Sequence, residues 1–96
     1  MKVFAISSPT PSLTPEVINA HMPAEVHDTV RLYLSGKVDQ FWFQEKAGPI
    51  FLMDVPSLED AQAALNTLPL VASGVMSYEL RPVVPLMPLA RLIPAK

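Results

Sequence analysis

The segment QFWFQEKAGPIFLMDV, Gln40 to Val55, limits the possible folds of this chain more than any other feature. Gly48-Pro49 is a turn signal between two β-forming runs, so the segment predicts a hairpin. Side chains alternate across a strand. Phe41 and Phe43 share one face of the first run, and Val38, Gln40, Trp42 and Gln44 share the other. In the second run, Phe51, Met53 and Val55 oppose Ile50, Leu52 and Asp54. Large apolar groups therefore stand on both faces. A sheet with helices on one side normally turns polar on the other. The chain has 96 residues, enough for one domain. Its composition is 50% hydrophobic and 17% charged, and such an apolar surplus in a small domain predicts burial against a second copy.

The remaining elements follow from spacing and punctuation. Lys2–Ser8 predicts a first strand, ended by Pro9 and Pro11. Thr14-Pro15 has the form of an N-cap followed by proline at the first helical position. Met22, Val26, Val30, Tyr33 and Leu34 recur at helical spacing as one apolar stripe, and Gly36 ends the helix. Pro23 lies inside this span and predicts a kink or a division there. Val38–Glu45 and Ile50–Val55 are the hairpin strands. Ser57 caps a second helix, Leu58–Leu68, whose Ala61, Ala64, Leu65 and Leu68 face inward and which Pro69 stops. Val75–Arg81 is the last strand, with Met76, Tyr78 and Leu80 opposing Ser77, Glu79 and Arg81. The order β-α-β-β-α-β predicts an α+β, ferredoxin-like subunit over residues 1–81. Two such sheets packed face to face give a dimeric α/β barrel.

Residues 82–96, PVVPLMPLARLIPAK, carry four prolines and many apolar side chains. Disordered tails are usually polar, so the expectation is a proline-rich apolar arm laid on a neighbouring subunit, with a frayed end as the alternative. The net charge is −2 and the basic residues are scattered, which argues against a nucleic-acid partner. No cysteine is present, which excludes disulfides and thiolate chemistry. The apolar run near the N-terminus is too short for a signal-peptide core, and no segment approaches a membrane span. A cytoplasmic protein with no membrane partner is the expectation. The mixed sheet face, with Trp42, Gln40, Gln44, Ser77 and Glu79, predicts one wall of an apolar cleft between sheet and helices. The alternative is that Trp42 is core and the polar groups reach water.

Several features resemble the muconolactone isomerase family of the dimeric α/β barrel superfamily. They are Pro15 followed 21 residues on by Gly36-Lys37, Trp42 in the second strand, Asp54-Val55-x-Ser57 before the second helix, and Leu68-Pro69-Leu70 after it. The resemblance covers roughly Pro15 to Leu80. It implies an isomerase that moves a proton within a small unsaturated lactone without cofactor or metal. It also implies dimers that assemble further, to decamers in the family, with C-terminal segments reaching neighbours. The glutamate of the first helix that serves proton transfer in the family falls on Glu25, preceded by Ala24 where the family has an acidic residue.

A proton shift beside a carbonyl needs one group that takes the proton and returns it. A carboxylate suits this when apolar surroundings raise its pKa. On a helical wheel Glu25 lies at the edge of the apolar stripe near Ile18, Met22, Thr29 and Leu32, with His21 one turn earlier. His21 and Glu25 also have the spacing of two metal ligands, a weak signal with His27 pointing elsewhere, and no metal is expected. The plainer reading makes Glu25 a solvated carboxylate paired with His21 or Thr29. Arg81 and Arg91 are candidates for a substrate carboxylate. Tyr33 and Tyr78 read as packing residues. The expected site is thus Glu25 as catalytic group, with His21, Trp42, Gln44 and Arg81 binding a small-molecule substrate. Two rivals stand beside the isomerase: a non-catalytic binding or assembly protein, and a cofactor-free monooxygenase or cyclase of aromatic polyketide-like substrates.

Overall fold

A computed structural model describes residues 1–86. Its elements are β1 (Lys2–Pro9), α1 (Pro15–Leu34), β2 (Val38–Gln44), β3 (Gly48–Asp54), α2 (Leu58–Leu65), α3 (Pro69–Ala72) and β4 (Met76–Val83). The strands form one antiparallel sheet in the order β2-β3-β1-β4. This α+β arrangement is compatible with a ferredoxin-like fold. Among the described residues no helix is long and apolar enough to cross a membrane. The expected C-terminal arm lies largely outside the described residues. Pro82 and Val83 belong to β4, and Val84 and Leu86 are exposed. Proline is tolerated there because β4 is an edge strand.

Local chemistry sets the element ends. The Thr14 side chain accepts from the Val17 N–H at 3.3 Å, with Pro15 in the first turn. Gly36, at φ 83°, closes α1. Its N–H reaches the Tyr33 carbonyl and the Lys37 N–H reaches the Leu32 carbonyl, the paired bonds of a Schellman ending. Pro23 neither divides α1 nor ends it. The carbonyl it leaves without an intrahelical donor belongs to Asn19, and both residues are exposed, so that group is open to solvent and its cost is small. α2 ends at Leu65 with Asn66 as its C-cap, short of the expected Leu68, so Pro69 does not stop it; Pro69 instead opens the short helix α3, which the sequence reading did not include.

The helices cover the face bearing Val3, Ala5, Ser7, Phe51, Met53, Met76 and Tyr78, all buried. Ala61, Ala64, Leu65, Leu68 and Leu70 close the core from α2 and α3. Strand β2 has a bulge between Val38 and Gln40. The extra residue, Asp39, shifts the alternation. Val38 therefore pairs with Met53 and is buried with the core, whereas Trp42 pairs with Ile50. Simple alternation had placed Val38 and Trp42 on one face. The face away from the helices carries Phe4, Ile6, Ile50 and Leu52, half-buried, together with Trp42. Lys2, Asp39 and Asp54 form an ion-pair cluster at its end.

Candidate functional site

The core side of α1 is unusual. Its two buried residues are Leu32 and Glu25. Of the apolar stripe read from the sequence, Met22 is half-buried, while Val26, Val30, Tyr33 and Leu34 are all exposed. Helical spacing identified an apolar face but could not say which way the sheet would take it. The packed line instead passes through half-buried Val17 and buried Glu25 and Leu32, and Met22, Val26 and Val30 of the stripe border a cleft.

That cleft, about 710 Å³, lies between α1 and the helix-covered face of the sheet. Ile18, Met22, Phe41, Phe51, Leu70 and Met76 give it apolar walls. Its charged lining consists of Glu25 and Lys46. Glu25 is 7% exposed. Its Oε1 accepts from the Leu70 N–H of α3 at 3.0 Å. Among the described residues no hydrogen bond is made to its other oxygen. Burial raises the Glu25 pKa above the ordinary carboxylate value; the Leu70 N–H opposes this, Asp28 adds to it, and His21 opposes it weakly.

The partners expected for Glu25 are otherwise engaged. The His21 ring bonds through Nδ1 to the Val17 carbonyl at 2.8 Å, so its N–H is directed along the helix and not at the carboxylate. The Thr29 hydroxyl donates to the Glu25 backbone carbonyl at 2.8 Å. Glu25 is thus not a solvated surface carboxylate.

The mixed face does not form a cleft wall, because the helices pack on the opposite face. Trp42 borders the cleft from β2, but its ring lies 6.3 Å from that of Phe4 on the outer face. Gln40 and Glu79 pair across the strands with outer-face Leu52 and Ile6. Gln44 is half-buried, and its side-chain nitrogen has no partner among the described residues. Arg81 is exposed beside Glu79, with which it pairs, and is not brought to the cleft. Among the described residues no cluster of three or more His, Asp or Glu is placed to hold a metal ion.

Two further residues bear on the site, one read from the sequence as packing and one not singled out there. Tyr78 is buried, and its ring stacks on Phe51 with centroids 5.4 Å apart. Its hydroxyl has no hydrogen-bond partner among the described residues. Burial and then the nearby Glu25 push its pKa up, so it remains a protonated donor. A tyrosine opposite polar Ser77 in the alternation gives no sequence signal beyond packing. Lys46 is the second, considered below. Chemically the site is a carboxylate at the base of an apolar cleft, able to accept a proton from carbon and to return it in a water-poor setting. No protein-family model matches this chain, and no curated protein matches it.

Proposed function

We propose that this protein is a muconolactone isomerase-like enzyme that shifts a proton within a small unsaturated lactone or related acid, with Glu25 as the transferring group. The observation that carries this reading is the buried Glu25 carboxylate lining an apolar cleft, with one oxygen held by Leu70 and its pKa raised. Glu25 takes a proton from a carbon next to the unsaturated system. The electron pair left behind spreads through the double bond onto the carbonyl oxygen. The carboxylic acid then returns the proton at the far carbon, and the double bond moves. Atoms and charge balance without a cofactor.

The same reading makes the subunit half of a dimeric α/β barrel, packed through the outer face of its sheet. Phe4, Ile6, Ile50 and Leu52 supply an apolar surface there, and it would be costly to leave wet. The aromatic lining of the cleft, Phe41, Phe43 and Phe51, favours as second reading a cofactor-free monooxygenase or cyclase of aromatic substrates.

The test is Glu25→Gln against the parent on a panel of unsaturated lactones at pH 5–9. General acid–base catalysis contributes about 10²- to 10⁴-fold, and a loss of that order with substrate binding retained is the expected result. Equal turnover removes Glu25 from the mechanism. No turnover by either protein shifts the weight to a non-catalytic binding role, and oxygen uptake with an aromatic polyketide-like substrate selects the second reading.

A further inference from the structure

The hairpin between β2 and β3 is held in an unusual way. Lys46 has φ 65°, the left-handed region that a side chain disfavours, and it is the one non-glycine residue with positive φ among the described residues. The turn is pinned from below. The Ala47 N–H bonds to the Gln44 carbonyl at 3.0 Å, and the Ser7 hydroxyl of β1 donates to the Ala47 carbonyl at 3.4 Å. Gly48, at φ 110°, lets the turn approach β1 closely, since a Cβ there would lie 2.5 Å from Ser7 Oγ. The buried Ser7 thus fixes where the turn sits, and the turn sets Lys46 at the cleft.

Lys46 makes no ion pair among the described residues, whereas Lys2, Arg31 and Arg81 each have a carboxylate partner. It is the cleft's one cation among the described residues, exposed at the mouth, while Glu25 is buried. We propose that Lys46 selects the ligand: an apolar molecule whose carboxylate is held by Lys46 at the mouth while its apolar body enters the cleft toward Glu25. This rests on the cleft being the ligand site. Backbone strain of this kind persists where the surrounding structure enforces it, and it clusters at ligand clamps.

The experiment compares 4-phenylbutyrate with 4-phenylbutyramide, which share an apolar body and differ in charge. Binding is followed by NMR shifts of Ala47, Gly48 and Met76 in the parent, Lys46→Met and Lys46→Arg. Both variants keep a side chain at the left-handed position, so the backbone cost is unchanged. The parent is expected to bind the acid about three- to tenfold more tightly than the amide. Lys46→Met should abolish that preference with amide binding unaltered, and Lys46→Arg should keep most of it. Equal binding of acid and amide by the parent overturns the role of Lys46 and leaves the cleft as a ligand site. An acid preference that survives in Lys46→Met overturns it as well. If neither probe shifts the cleft resonances up to its solubility limit, the cleft reading fails and this proposal fails with it. Acid-selective binding that depends on Lys46 supports the proposal even where no lactone is turned over.

Discussion

Phe51 and Leu52 are neighbours in β3, yet Phe51 is 1% exposed beneath the helices while Leu52 is half-buried on the outer face. The same contrast runs across the sheet. Val3 and Ala5 are sealed in the core, while Phe4 and Ile6, which alternate with them, stand on a face that no described helix covers. Hydrophobicity does not separate the two sets. Helix placement does: α1 spans the inner face on one side, and α2 and α3 close the other. The inner face therefore carries both the core and the cleft, whereas the outer face is an apolar surface that no described helix covers. A cleft and an uncovered apolar face have been made from similar residues one position apart.

Deleting one aromatic ring from each face tests the contrast most severely. Phe51→Ala empties a fully buried position and removes the stack on Tyr78, and it should cost about 3–5 kcal/mol in denaturant unfolding. Phe4→Ala should cost about 1 kcal/mol if the outer face stays wet, and should approach the Phe51 value if a second copy covers it. Leu52→Glu probes the same point by assembly. A charge at the centre of a sheet-to-sheet interface should weaken a dimer by about 100-fold or more, which sedimentation at micromolar concentration reads directly. Monomers for both parent and variant would make the outer face a solvent face and end the barrel reading.

The strands, both main helices and their order were legible because turn residues and caps act locally: Thr14, Gly36 and Ser57 mark their boundaries by backbone chemistry alone, whereas Gly48-Pro49, read as the hairpin turn, are the first residues of β3 and the turn falls on residues 45–47. What escaped depended on contacts far apart in sequence. The bulge at Asp39 answers to the pairing of β2 with β3 and reverses Val38 relative to Trp42. The position of Glu25 depends on Leu70, 45 residues away, whose N–H became available only because Pro69 starts a new helix. The pinning of Lys46 by Ser7 has no local trace in either segment. Glu25 itself entered through a family resemblance, and it lines the cleft with Ile18, Met22 and Thr29, the neighbours that the helical wheel gave it.

Tyr78 offers a smaller test on the inner face. Its buried hydroxyl has no partner among the described residues, so Tyr78→Phe removes a desolvated group without breaking a bond seen there. Stability should rise by up to about 1 kcal/mol. A loss of similar size would mean that the hydroxyl bonds Glu25 in solution and belongs to the machinery of the cleft.

The smallest expected effect is informative through its sign. The folded pKa of Glu25 is raised by burial. Between the ordinary glutamate value and that raised value the folded chain holds the proton more tightly than the unfolded one. Stability from this group therefore falls as pH rises through that window, and the full cost of a buried charge remains above it. The Glu25→Gln variant has no such titration, and its side-chain amide oxygen can still accept from the Leu70 N–H. The variant should melt no lower than the parent at neutral pH, and its relative advantage should shrink as pH falls through that window towards the ordinary glutamate value. The outer-face ion pair does not confuse the comparison. The Lys2 pKa is raised, chiefly by its hydrogen bond to Asp39, so the lysine's part of that contribution is present across neutral pH and lost as pH rises through the alkaline range, and parent and variant carry it alike. Melting curves of parent and variant from pH 4 to 9 give the answer. A variant less stable at pH 7 and equal to the parent in acid would reverse the sign, and would show Glu25 to be a stabilising ion beside α3 and not a base kept at folding's expense.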